Sequence, residues 1–248
     1  MNENKINLLY VNYSYEVGGI ETLILNMCKI LVKSQYNIFI CSFAESNSLE
    51  PEFKNLGASF HIIKKKPGID FSLIFKLRSL CNKLDIDIIN THNAGQWFYV
   101  VLACLGKSKP VIVHTQHTVH QDDTKDANHN NHKMLLWSLK YLAKRTNSVI
   151  CIAKYISDYL IERAGIKPNQ IKVIYNGTDM DRIPPKIDMA WKKHSLGMRS
   201  NSFTIGIIAR LTPKKGHDVL LDAFKKVLQK IPDTQLFIIG SGELLTYL

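Results

Sequence analysis

The sequence predicts an α/β protein: a parallel sheet with helices on both faces, followed by the first strand–helix–strand of a second domain of the same kind. Three observations predict it. Short apolar runs of strand length alternate repeatedly with longer segments of helical spacing. Several of the runs are continuous, as in strands buried on both faces, and do not alternate polar with apolar. The rhythm breaks once, from Asn176 to Ser202, where Asn176-Gly177 and Pro184-Pro185 stop helices and ladders, and then it resumes.

In order, 6–11 reads as a strand, 20–32 as a helix and 37–43 as a strand. A short helix near 48–56 precedes a strand at 59–63. Over 70–84, Phe71, Ile74, Leu77, Leu80 and Leu84 form one helical stripe. Strands at 86–91, 111–115, 148–152 and 171–175 then alternate with helices at 95–105, 134–144 and 154–164. The polar run 121–132, with His129 and His132, reads as a mobile loop and a candidate lid. This assigns 1–180 to an N-terminal parallel-sheet domain and 181–202 to a linker with a short basic amphipathic piece around Trp191. Residues 203–248 begin a second domain: a strand at 203–209, a basic turn, an amphipathic helix, and a strand from Leu236 that ends in glycines. Such a unit needs further strands and helices to hide its faces. The chain stops six residues after Gly242, so an incomplete second domain is expected. Its uncovered apolar faces predict aggregation or oligomers of the 248-residue form.

With 46% hydrophobic residues the chain can bury a core and is not disordered. The net charge of +11 suits an anionic partner such as a phosphate ligand or anionic lipid; a lysine bias that solvates the surface explains it equally. Zinc-finger spacing and aromatic RNP-type motifs are absent, which argues against nucleic acid. Five cysteines, far apart and without a CxxC, read as reduced core thiols of a cytosolic protein. No apolar run reaches bilayer-spanning length, and Met1-Asn-Glu-Asn-Lys5 lacks signal-peptide regions. The basic helix 134–144 is either a membrane-surface contact or an ordinary outer helix.

Gly18-Gly19 follows the first strand and precedes a helix. Backbone N–H groups there attract phosphate, and glycine allows close approach; a tight turn accounts for the pair as well. Arg210, Lys214 and Lys215 follow the 203–209 strand, with Gly216 at the next helix start. Cations at a strand's carboxyl end beside a helix N-terminus form a pyrophosphate clamp, unless they are simply a solvated turn. Gly240-Ser-Gly242 supplies a G-x-G, but Leu245 stands where a dinucleotide fingerprint needs glycine, and no Walker A sequence occurs. His114, His117 and His120 lie where strand becomes loop. They lack a completing cysteine or carboxylate, so no metal is expected; one histidine contacting ligand and two structural ones is the preferred reading.

These pieces resemble the retaining glycosyltransferases of family 4, with the GT-B fold. The matching residues are Gly18-Gly-Ile-Glu21, Thr91-His-Asn93, Thr115-Gln-His-Thr118, Cys151-Ile-Ala-Lys154, Val173-Ile-Tyr-Asn-Gly-Thr-Asp179, Ile208-Ala-Arg-Leu-Thr-Pro-Lys-Lys-Gly216 and Ile239-Gly-Ser-Gly242. Each is weak alone, but they stand in the family's order over nearly the whole chain. The resemblance implies two Rossmann-like domains, an acceptor-side one and a donor-side one, facing each other across a cleft. It implies transfer of a sugar from a nucleotide-diphosphate-sugar to a polysaccharide or glycolipid acceptor with retention of anomeric configuration.

By the same resemblance Gly18 and Gly19 approach the donor diphosphate, and Arg210 and Lys215 hold it and neutralise the leaving nucleotide. His117 lies beside the transferred sugar, and Asn176, Gly177, Gly240 and Gly242 shape the cleft. No cofactor or bound metal is implied. The cysteines and the missing signal-peptide regions predict a cytoplasmic location, and the charge with the basic helix 134–144 raises peripheral contact at the inner face of the cell membrane. The family's E-x7-E segment lies downstream of the G-x-G strand and is not in this chain. Two alternatives therefore stand: a non-catalytic fragment whose partner chain supplies the missing C-terminal half, and a GT-B-fold nucleotide-sugar epimerase.

Overall fold

The computed structural model describes residues 5–106, 110–119, 129–180, 189–199 and 201–247. It divides into two compact units, Met1–Asp179 and Met180–Leu248. The architecture is α/β, with a fully parallel sheet in each unit.

The first unit is built on β1 (Ile6–Asn12), β2 (Tyr36–Ser42), β3 (Ser59–Ile62), β4 (Ile88–Thr91), β5 (Val111–Gln116), β6 (Ser148–Cys151) and β7 (Ile171–Val173). Their order across the sheet is β3-β2-β1-β4-β5-β6-β7, every pair parallel. The order reverses between β1 and β4. Strands entered from β1 run one way and those from β4 the other, so the connections diverge and leave a crevice at the carboxyl ends of these two strands.

Side chains of β1 alternate between two cores. Leu9 and Val11 join Phe43, Leu73, Leu77, Trp97, Leu139 and Ile156 on one face; Leu8 and Tyr10 join Tyr15, Ile24, Leu25, Phe53 and Ile40 on the other. The first core is covered by α3 (Phe71–Lys83), α4 (Ala94–Ala103), α5 (His129–Ala143) and α6 (Lys154–Glu162); the second by α1 (Gly19–Leu31) and α2 (Glu50–Asn55). Among the described residues no helix is long and apolar enough to cross a membrane. All five cysteines are buried, none is in a disulfide, and they fill the core as small side chains.

Two local readings are corrected. In α3 the buried residues are Leu73, Leu77 and Cys81, one stripe at i, i+4 and i+8, with Ile74, Leu80 and Leu84 on its flank. Phe71 lies outside it, because the Asp70 cap sets the helix phase: its carboxylate accepts from the Ser72 N–H and hydroxyl, and its backbone N–H donates to the Tyr99 hydroxyl. His129 and His132 belong to α5 and not to a loop, since the helical period starts before Met134. His114 lies inside β5, as the strand expected at 111–115 has it. The rest of the expected loop, 121–128, lies outside the described residues, as do His120 and 181–188 of the expected linker.

The second unit holds α7 (Met189–Ser195), then β8 (Phe203–Ile208), α8 (His217–Lys230) and β9 (Thr234–Ile239), with β8 and β9 paired in parallel. Leu211, His217 and Thr234 are buried, but Phe203, Ile208, Val219 and Ile239 are exposed. One helix on a two-stranded sheet cannot hide both faces, so strand-like apolar residues remain in water.

Candidate functional site

The crevice of the first unit is lined by the residues that end β1, β4 and β5. Asn12 ends β1 and is buried; its side-chain amide donates to Glu21 in the first turn of α1 at 2.8 Å. Asn93, just past β4, donates from its side-chain Nδ2 to the side-chain Oδ1 of Asn12, also at 2.8 Å. Side chains from both strands are thus tied across the switch point. Before α1, the loop is anchored by Tyr15, which is fully buried, donates to the Tyr10 carbonyl and packs edge-on against Phe53 and Phe60.

Gly18 and Gly19 have different reasons to be glycine. Gly18 caps α1 in an extended conformation that any residue adopts, but a Cβ there would run into the Glu21 carboxylate held by Asn12. Among the described residues nothing lies within 4 Å of a Cβ at Gly19, so their packing does not demand glycine there. The helix makes its first backbone bond from Thr22 to Gly18, which leaves the N–H groups of the turn before it without intrahelical acceptors.

The histidines form a connected array, and sequence reasoning missed one of them. His92, between Thr91 and Asn93, is buried, and its Nδ1 lies 2.9 Å from His117 Nε2. Its own Nε2 is buried without a partner. Burial and the neighbouring rings of His117 and His114 hold His92 well below the usual imidazole range; burial lowers His117 also. Both rings are neutral near pH 7, and one proton is shared across the contact. An unpaired buried N–H is rarer than an unpaired acceptor, so the favoured state has His92 Nδ1–H donating to His117 Nε2. His117 then carries its proton on Nδ1.

His114 is structural. Burial pushes it to about 3, and it stacks on Trp97 with ring centroids 3.9 Å apart. Its contacts have one consistent direction. Gln116 Nε2 donates to the Thr118 carbonyl at 2.6 Å, so Gln116 Oε1 accepts from His114 Nε2–H at 2.8 Å, and His114 Nδ1 accepts from the Thr91 hydroxyl at 2.9 Å. This chain brackets His117 from both sides in sequence, while His92 holds its ring.

In the second unit Arg210, Lys214 and Lys215 are exposed at the carboxyl end of β8, and none forms an ion pair among the described residues. Pro213–Lys215 is one 3-10 turn, and Gly216 leaves it with φ 67°, a left-handed conformation that caps α8. His217 follows, buried, with both ring nitrogens unpartnered. Gly240 and Gly242 are explained by packing: side chains there would strike the carbonyls of Ala209 and Leu211, because β9 continues alongside β8 through Ala209 N–H to Ile239 and Leu211 N–H to Ser241. Asn176 and Gly177 lie in exposed coil after β7.

Residues 17–182 match the model of Glycosyltransferase Family 4, and 190–248 match that of Glycosyl transferases group 1. The first match covers most of the chain. The chain belongs to Glycosyltransferase Family 4. It is similar to the Escherichia coli UDP-Gal:alpha-D-GlcNAc-diphosphoundecaprenol alpha-1,3-galactosyltransferase, 27% identical over 98% of this chain and 64% of that protein. It is similar to an uncharacterized glycosyltransferase, MJ1178, of Methanocaldococcus jannaschii, 27% identical over 97% of this chain and 60% of the relative. The chain thus spans about three-fifths of the length of these family members. Among solved structures it is similar in fold to Anabaena Alr3699/HepE in complex with UDP and glucose, with TM-score 0.75, 20% identity, and coverage of 96% of this chain and 62% of that one.

Proposed function

We propose that this family 4 chain serves sugar transfer from a nucleotide-diphosphate-sugar to a polysaccharide or glycolipid acceptor, with retention of anomeric configuration. The observation that carries this reading is the pair of family-model matches in tandem, over 17–182 and 190–248. In this reading the second unit receives the donor. Arg210 and Lys215 take the diphosphate and offset the negative charge that grows on it as the glycosidic bond breaks. They fill the part that a divalent cation plays elsewhere, so no metal or cofactor belongs to the proposal. His117 donates its Nδ1–H to the transferred sugar, and Gly19 lets the diphosphate approach the start of α1.

The Escherichia coli relative suggests the first substrates to try: UDP-galactose, and an N-acetylglucosamine carried on a lipid diphosphate. Transfer is tested by mass analysis of the acceptor. A mass increase of one hexose, lost with Arg210→Ala and with Lys215→Ala, supports the reading. Transfer that both variants retain overturns the assigned roles. An interconversion of the donor without acceptor would identify an epimerase instead.

The exposed Phe203, Ile208 and Val219 favour a second reading, in which further polypeptide completes the donor half and this chain alone is not catalytic. Co-purification with such a polypeptide supports it; sugar transfer by the isolated chain excludes it.

A further inference from the structure

The crevice between β1 and β4 carries an aromatic ring that the roles assigned above leave without a task. Tyr13 directly follows Asn12 at the end of β1 and is 54% exposed. Its backbone is fixed. The Tyr13 carbonyl accepts from the Phe43 N–H at 3.0 Å and from the Ser42 hydroxyl at 3.1 Å, and the Asn12 side chain donates to the Ser14 carbonyl at 3.2 Å. The loop beyond is held as well: the Tyr15 N–H donates to Asn47 at 2.8 Å, and the Glu16 carboxylate accepts from the Ser46 hydroxyl at 2.6 Å.

An exposed tyrosine alone is ordinary; two further observations make this one a ligand contact. The first is Asn93, exposed at the start of α4. An asparagine in that position usually turns its side-chain oxygen onto the first-turn N–H groups, but Asn93 makes no such cap. Its Nδ2 is spent on Asn12, and among the described residues its Oδ1 has no partner. Asn12 thus ties both the Tyr13 loop and this open amide oxygen. The second is charge. No lysine or arginine occurs in 8–28 or in 84–106, although the chain carries 32. Open polar groups without a cation suit neutral hydroxyls, which both donate and accept; the cations that suit phosphate stand on the β8 turn. An exposed ring on a rigid loop beside such a group suits the C–H face of a pyranose, whose hydrogens lie over the π face.

We propose that Tyr13 is the stacking platform for the terminal sugar of the acceptor, with Asn93 accepting from one of its hydroxyls, and that this pair selects the acceptor. The inference rests on the transferase reading and deepens it. The acceptor is favoured over the transferred sugar because that sugar is assigned to His117 past β5, and β4 lies between β5 and β1.

The test titrates the purified chain with the methyl glycosides of galactose, glucose, mannose and N-acetylglucosamine, followed by saturation-transfer NMR, and in parallel with UDP-sugars by calorimetry. One glycoside should bind saturably, with the strongest transfer to hydrogens of one ring face. Tyr13→Phe should bind it within about twofold of the parent, whereas Tyr13→Ala and Tyr13→Leu should each weaken binding about tenfold. Asn93→Ala should weaken it about fivefold. UDP-sugar binding should stay within about twofold in the Tyr13 variants, which lose only exposed atoms and should keep the parent melting temperature. The control is Phe75→Ala, which removes a ring 69% exposed on α3 and should leave glycoside binding unchanged. The proposal is overturned if no glycoside binds the parent, or if Tyr13→Ala or Tyr13→Leu binds like the control. It is also overturned if Tyr13→Ala loses UDP-sugar binding, which would set the ring against the donor. Transfer whose acceptor KM is unchanged in Tyr13→Ala overturns the proposal and leaves the transferase reading standing; Tyr13-dependent glycoside binding by a chain that transfers nothing supports the sugar subsite and counts against that reading.

Discussion

His92 Nδ1 stands 2.9 Å from His117 Nε2, and this contact joins the end of β4 to the residues just past β5 across one strand gap of the sheet. It fixes the ring of the one histidine that the family reading places beside the sugar. Replacing His92 by Phe keeps bulk in the buried site and removes the hydrogen bond. Ring nitrogen shifts of His117 should then change from a single tautomer to a mixture, and transfer should fall about fivefold to tenfold. A His117 spectrum unchanged in His92→Phe contradicts the positioning role, whatever happens to activity.

The two adjacent glycines should separate packing from ligand contact. Gly18→Ala should force Glu21 away from Asn12 and lower the melting temperature. Gly19→Ala meets nothing among the described residues and should melt like the parent, yet weaken nucleotide-sugar binding if the diphosphate approaches there. Thermal unfolding and titration of both variants decide it; a Gly19→Ala chain that binds normally removes Gly19 from the site.

Gly240→Ala and Gly242→Ala should destabilise the second unit by about 1–3 kcal/mol each, through collision with the β8 continuation. The loss should appear in denaturant melts without any nucleotide. Wild-type stability with impaired binding would instead assign these glycines to the ligand.

Stability should fall with acid earlier than carboxylates alone dictate. His92, His114 and His117 all have folded-state values below the unfolded imidazole, His114 at about 3. The groups facing them are one another, Tyr10, Trp97, Thr91 and Gln116, none of them a carboxylate. The unfolded chain therefore binds more protons between roughly pH 6.5 and 3, and the stabilisation complete above that range is lost as pH falls through it. Melting temperatures measured from pH 7.5 to 5 should decline; a flat profile to pH 5 contradicts neutral buried rings.

Much of this was legible in the residues. Period and run length placed the helices and strands of both units, because parallel strands buried on two faces leave continuous apolar runs. His117, Arg210 and Lys215 were legible as cations and imidazole at strand ends. His92 was not, although Thr91-His-Asn93 stood in plain view: its importance comes from β4 and β5 being neighbours, and sheet order is not written in local spacing. Gly240 and Gly242 stood out as a G-x-G, but their packing demand was not legible, because the collision partners, Ala209 and Leu211, lie a full helix and strand away in sequence. The phase of α3 was missed because Phe71 resembles a core residue while the Asp70 cap sends it to solvent.

The most direct measurement is calorimetric titration of the chain with UDP, GDP and their sugar conjugates, repeated with Arg210→Ala. The account predicts saturable binding of one nucleotide family, weakened at least tenfold in the variant, as expected for loss of a charge-assisted contact. Binding that Arg210→Ala leaves unchanged, or no binding of any conjugate, would contradict a donor site on the β8 turn.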